Sequence, residues 1–163
     1  MTRILSRSEI LGLFDKGQIP PNVAIVSIRN HNDDKRIRLD NVKNEMIVVR
    51  FDDLEFGEEK EGCVPSEHQV KRIKEFVGKN KEKNFWVHCN AGISRSSAVA
   101  VSIEFWKTGK AKKAVGILHP MIHFPNLRIV QIACSIVDDF SLLTEVELFQ
   151  NKIVHQGFDN FNF

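Results

Sequence analysis

Apolar residues follow two rhythms along this chain. Val23-Ala24-Ile25-Val26-Ser27-Ile28, Met46-Ile47-Val48-Val49-Arg50-Phe51 and Asn84-Phe85-Trp86-Val87-His88 are short runs, rich in β-branched and aromatic residues, with turn or polar residues at their ends. Such runs read as strands buried on both faces of a parallel sheet, and Arg3-Ile4-Leu5 reads as a further short strand. The segments between them carry helical spacing. Ser6-Arg7-Ser8-Glu9 fits a capping box ahead of Ile10, Leu11, Leu13 and Phe14, with Gly17 as a stop, which predicts a helix over 7–16. Ser66 and Gln69 form a second capping box, opening a helix with Val70, Ile73, Phe76 and Val77 on one face and an end near Gly78. A long apolar run from Ser96 to Trp106 stops at Lys107-Thr108-Gly109 and predicts a third helix. Ala111 to Leu118 and Asn126 to Val137 are two more, the first interrupted by Pro120 and the second preceded by Pro125. The polar run Arg29 to Asp40 is a loop or short surface helix. Strands alternating with helices predict an α/β fold, with a mainly parallel central sheet flanked by helices on both faces.

At 163 residues the chain fits one domain, expected over 1–150, followed by a C-terminal tail over 151–163. The repeated phenylalanines of Phe158-Asp159-Asn160-Phe161-Asn162-Phe163 read as an apolar flap on the chain's own domain. A net charge of +2 supplies no long-range field for nucleic acid or a membrane surface. Met1-Thr2-Arg3-Ile4-Leu5-Ser6 lacks a signal-peptide core and no run reaches membrane-spanning length, so a cytoplasmic monomer with no nucleic-acid or membrane partner is expected. Three cysteines without framework spacing agree with a reducing compartment. Cys63 and Cys134 read as packing or surface residues. No paired cysteine or histidine spacing suits a metal, and His31, His68, His123 and His155 stand singly.

The candidate chemistry lies at His88-Cys89-Asn90-Ala91-Gly92-Ile93-Ser94-Arg95-Ser96, where the last strand meets the long helix. The first backbone N–H groups of a helix lack intrahelical partners, and together with the helix dipole they form an anion site. The loop Asn90, Ala91, Gly92, Ile93 and Ser94 is therefore a phosphate cradle. Gly92 lets it curl, and Arg95 adds a planar fork for two phosphate oxygens. The same field favours the thiolate of Cys89, making it a nucleophile facing the bound phosphorus. Ser96 is placed to donate its hydroxyl to that sulfur, easing its departure in a second step. Strand alternation turns His88 away from Cys89, as a buried orienting and hydrogen-bonding group. A lone cysteine at a strand end is more often a small hydrophobe; the cysteine, five spacers, arginine and hydroxyl bracketed by strand and helix favour catalysis. A leaving oxygen also needs a proton, and Asp52-Asp53 stands at the C-terminal end of the Met46–Phe51 strand, the ligand edge of a parallel sheet.

The nine residues from His88 to Ser96 resemble the signature loop of the cysteine-dependent protein tyrosine phosphatase superfamily, its dual-specificity branch above all. The resemblance spans about residues 23 to 137. It implies that Cys89 forms a phosphocysteine intermediate, that Arg95 binds the phosphoryl group and that Ser96 aids hydrolysis. It also implies a general acid at Asp53, with Asp52 in reserve, although Leu54 to Pro65 is longer than the usual pattern. Pro125-Asn126 matches the branch's loop before the closing helix, so Asn126 is a supporting residue; His119-Pro120 departs from its usual Arg-Pro. No cofactor is implied. The lysine-free cradle favours a phosphoprotein, with phosphotyrosine accepted and phosphoserine or phosphothreonine as further candidates, over a phosphoinositide or an RNA 5′ end. With no tyrosine in the chain, any aromatic wall must be Phe or Trp, which points to a shallow, permissive site. A phosphate-recognising pseudophosphatase, a rhodanese-type sulfur transferase and an arsenate reductase are the rival readings.

Overall fold

Val23 to Arg29 is buried at every position, which only a strand with neighbours on both edges and helices on both faces can be. The computed structural model describes residues 1–33, 37–55 and 63–159, with side chains to residue 154. Among them, β1 (Thr2–Ser6), β2 (Val23–Arg29), β3 (Met46–Arg50) and β4 (Asn84–Cys89) form one sheet in the order β1-β4-β2-β3, every pairing parallel. The register sets Ser6 beside Cys89 and Arg29 beside Arg50. All four strands therefore deliver their C-terminal ends to one edge, where the loops carrying the candidate site begin.

The helices are α1 (Arg7–Asp15), α2 (Glu67–Lys79), α3 (Arg95–Thr108), α4 (Ala111–Val115), α5 (Leu127–Ser135) and α6 (Ser141–Asp159). A short 3₁₀ helix, Arg38–Asn41, answers the polar run after β2. Both expected capping boxes form: Ser6 and Glu9 exchange side chain and backbone N–H at the start of α1, and Ser66 and Gln69 do so at α2. Gly109 ends α3 in the left-handed region at φ 63°, its N–H bonding the carbonyl of Phe105 at 2.7 Å. Strand alternation divides the core. Leu5, Val23, Ile25 and Trp86 face α1 and the 3₁₀ helix, whereas Ala24, Val26, Ile28, Phe85 and Val87 face the side packed by α2, α3, α5 and α6. No helix among the described residues is long and apolar enough to cross a membrane.

One expectation needs correction. The boundary expected at residue 150 falls inside α6, so residues 151–159 continue a helix instead of starting a tail. Leu142 and Val146 are fully buried, with Leu143 and Phe149 packed beside them, a helical spacing that outweighs the more conspicuous phenylalanines downstream. Residues 160–163, which hold the last two of those phenylalanines, lie outside the described residues, as do 34–36 and the acidic insert at 56–62. Because Leu142 anchors α6 in the shared core, Leu142→Ala should lower unfolding free energy by about 2–5 kcal/mol. Urea denaturation would measure it; a negligible effect would mean that α6 is an appendage.

Candidate active site

β4 ends at Cys89 and α3 begins at Arg95, and the five residues between must reverse the chain in a tight arc. Gly92 makes that arc feasible. Its φ is +79°, and a Cβ there would lie 2.7 Å from Ser6 N and 2.9 Å from the Leu5 carbonyl carbon, so the loop is pressed against the end of β1. The N–H of Arg7 also bonds the carbonyl of Asn90 at 3.1 Å. On the other side, Ser97 Oγ donates to the carbonyls of Ile93 and Ser94. Ser94, the residue before α3, makes no side-chain cap, which leaves the first N–H groups of α3 available for an anion.

Cys89 is 2 % exposed. Its Sγ accepts the Gly92 N–H at 3.3 Å and lies 3.2 Å from Ser96 Oγ, so two groups suited to a thiolate converge on it. Arg95 is 5 % exposed. Its Nη1 donates to Asn30 Oδ1 at 2.8 Å and to the Phe51 carbonyl at 2.9 Å, while its Nε has no hydrogen-bond partner. The loops after β2 and β3 thus clamp one arm of the guanidinium. Sequence reasoning missed both clamps; Asn30 stands directly after a buried strand, the position where a signal could have been sought.

The two aspartates separate cleanly. Asp53 Oδ1 accepts from Ser94 Oγ at 2.7 Å and from Asn126 Nδ2 at 3.0 Å, and its Oδ2 lies 3.9 Å from Arg95 Nε. Asp52 turns away, accepting the His31 N–H at 2.9 Å. Asp53 is therefore the carboxylate held over the cradle, and Asp52 braces the neighbouring loop. Asn126 also caps α5 through the Ile129 N–H and donates to the Leu54 carbonyl. Behind it, Gln150 of α6 donates to the Pro125 carbonyl at 2.6 Å. That brace was not legible in advance, because α6 itself was not. Beside Arg95 opens a cleft of about 410 Å³ lined by Asn30, Asn32, Asp52, Asp53 and Leu54.

His88 is fully buried on the α1 side of the sheet, and its ring nitrogens make no hydrogen bond of ordinary geometry. The orienting hydrogen bond expected of it is not formed. Burial, reinforced by the charges of Arg7 and Arg29, lowers its pKa to about 4 against a weaker opposing influence from the Cys89 backbone. Arg7 and Arg29 are themselves paired with Asp33 and Asp40. Cys63, Cys89 and Cys134 are all buried free thiols.

The model of a family described as a DSP-PTPase phosphatase fused to NAD+ kinase matches residues 24–118. No curated protein matches the chain. Among solved structures, the human tyrosine phosphatase-like serine/threonine/tyrosine-interacting protein is similar over 82 % of this chain and 85 % of its own, at 19 % identity and a TM-score of 0.55. PTPMT1 in complex with PI(5)P is similar over 95 % of this chain and 91 % of its own, at 13 % identity and a TM-score of 0.52. These likenesses show the α/β fold of that phosphatase class.

Two outcomes follow from the geometry. Gly92→Ala forces a side chain against the β1 backbone at a positive φ and should cost more than about 1 kcal/mol of stability while weakening binding of orthovanadate; unaltered vanadate affinity would contradict the close approach. The folded chain keeps His88 neutral down to about pH 4, whereas the unfolded chain protonates it from its ordinary 6.5. Stability due to His88 is therefore complete above pH 6.5 and falls between 6.5 and 4, by up to about 3 kcal/mol. Denaturation across that range should show a shallower fall in His88→Gln than in the unaltered chain; parallel slopes would refute the neutral buried imidazole.

Proposed function

The chain belongs to the DSP-PTPase family named for its fusion to NAD+ kinase, and on that membership we propose that it hydrolyses phosphate monoesters on proteins through a phosphocysteine intermediate. The observation that supports this reading is the meeting of the Gly92 N–H and Ser96 Oγ on Cys89 Sγ, within a loop whose Arg95 is clamped by Asn30 and Phe51 and lies beside Asp53, itself held by Ser94 and Asn126. Phosphate oxygens would bind the loop N–H groups and the guanidinium, which meet the charge of the transition state without reorganisation.

Sγ of Cys89 attacks phosphorus in line with the ester oxygen. The S–P bond forms as the P–O bond breaks, and Asp53 gives its proton to the departing alkoxide or phenolate. The deprotonated Asp53 then takes a proton from water as that water attacks the phosphocysteine. The S–P bond breaks, inorganic phosphate leaves, and the Ser96 hydroxyl hydrogen-bonds the returning thiolate. The neutral, enclosed His88 sits behind the nucleophile and takes no proton in either step. Arg95, held through Nη1 by Asn30 and Phe51, keeps its orientation throughout.

The cradle side chains carry no lysine to recognise a second phosphate, and among the described residues the adjoining cleft is lined by Asn30, Asn32, Asp52, Asp53 and Leu54 beside Arg95. Both features favour a singly phosphorylated protein side chain, phosphotyrosine first and phosphoserine or phosphothreonine after it. The chain should release p-nitrophenol from p-nitrophenyl phosphate without added metal; a well-folded preparation with no vanadate-sensitive turnover would sink the proposal. Cys89→Ser should abolish turnover while retaining phosphate binding. Asp53→Ala should lower kcat by about 10²–10⁴-fold for a poor leaving group and by less for p-nitrophenol. Loss of that size in Asp52→Ala, with Asp53→Ala spared, would reverse the two assignments.

A further inference from the structure

The segment His119–Phe124, between α4 and α5, lies against the signature loop. The Phe124 N–H bonds the Ile93 carbonyl at 3.1 Å and the Asn126 N–H reaches the Ser94 carbonyl at 3.4 Å, so its position is set by the cradle itself. Its tip is closed by its own histidines. His119 Nδ1 accepts the Met121 N–H at 3.2 Å and His123 Nδ1 accepts the His119 N–H at 2.9 Å, while the Ile122 and His123 N–H groups both reach the His119 carbonyl. Burial lowers the pKa of His123, which keeps that acceptor nitrogen unprotonated at neutral pH. A turn so tied holds its side chains outward. Met121 is 85 % exposed and Ile122 54 % exposed, and Ile93 and Phe124 are exposed beside them.

Four large exposed apolar side chains on two segments joined by a backbone hydrogen bond beside a phosphate site exceed the scattered singles of an ordinary surface. Their place relative to the acidic cleft is set by the sheet. His123 interacts with Glu9 of α1, which follows the edge strand β1, whereas the cleft is built on the loops after β2 and β3. The segment therefore reaches toward the β1 side of the cradle, while Asn126, just beyond its C-terminal end, holds Asp53 of the cleft. Among the described residues, Asp52 and Asp53 line the cleft with Arg95, so an anionic bilayer laid across the cradle would meet two carboxylates there. An extended peptide has no such conflict, since each of its side chains meets one surface at a time.

We propose that Ile93, Met121, Ile122 and Phe124 form a substrate shelf that selects phosphoproteins carrying a bulky apolar residue next to the phosphorylated one. This rests on the phosphatase reading above and adds a substrate preference to it. The shelf is preorganised, so burying one Leu or Phe side chain on it goes into transition-state binding without the cost of ordering a loop.

The test uses the full chain and phosphotyrosine peptides in which a single Leu is moved through an otherwise Ala-Ser sequence, with p-nitrophenyl phosphate as the small reference substrate. One Leu position should raise kcat/KM by about tenfold, the scale of one apolar group in a pocket. The double variant Met121→Ser/Ile122→Ser should lose that gain and keep p-nitrophenyl phosphate turnover, since the small substrate does not reach the tip. Equal rates at every Leu position, or turnover of the small substrate together with no hydrolysis of any peptide, would overturn the shelf and leave the phosphatase reading standing. Absence of turnover on every substrate would fail the phosphatase reading instead. Faster hydrolysis of phosphoinositide in phosphatidylcholine vesicles, lost in the double variant and unaccompanied by a Leu preference, would assign the patch to a bilayer and also overturn the proposal. Should the double variant fold poorly, the peptide series on the unaltered chain decides alone.

Discussion

A guanidinium buried almost completely at the edge of a parallel sheet governs the arrangement of this site. Taking a charge out of water is costly unless fixed polar groups receive it, and Arg95 is received by a backbone carbonyl after β3 and an asparagine after β2. Those two acceptors exist only where neighbouring parallel strands end at the same level. The arginine in turn lies within ion-pair distance of Asp53, so the carboxyl group proposed to donate the proton and the cation proposed to hold the phosphate are fixed against each other before any substrate arrives.

The same economy links distant layers to the cradle. The edge strand β1 has no functional side chain, yet its backbone defines how closely Gly92 may curl, and its last residue caps α1. At the other extreme of the chain, α6 reaches through Gln150 to Pro125, and the next residue, Asn126, holds Asp53. Asn126 thus caps a helix and orients a carboxylate with one amide, its oxygen on the Ile129 N–H and its nitrogen on Asp53. The buried imidazole of His88 sits opposite, neutral because burial outweighs the opposing influence of the Cys89 backbone, filling the α1 face beneath the nucleophile strand.

Local chemistry carried much of the pattern into view. Ser6 with Glu9 and Ser66 with Gln69 are reciprocal within four residues, so their helices begin where the capping boxes predict. Buried runs such as Val23–Ile28 identify parallel strands because both faces must be apolar. The His88–Ser96 motif is contiguous, which made the cradle, the nucleophile and the arginine readable together. The choice between Asp53 and Asp52 was of another kind: both follow β3 and line one cleft, and which of them meets Ser94 depends on the course of the chain after Arg50.

The order of residues thus determined the four strands, the helices up to α5, the two capping boxes and the contiguous cradle, because each depends on interactions spanning a few positions. Tertiary structure decided what depends on residues far apart: Asn30 and Phe51 as the arginine's clamps, Asn126 and Gln150 behind the acid, and Met121 and Ile122 exposed at the rim. Those contacts join residues separated by 25 to 73 positions. No local spacing encodes them; they arise when the strands align in one parallel sheet and bring their loops to a common edge.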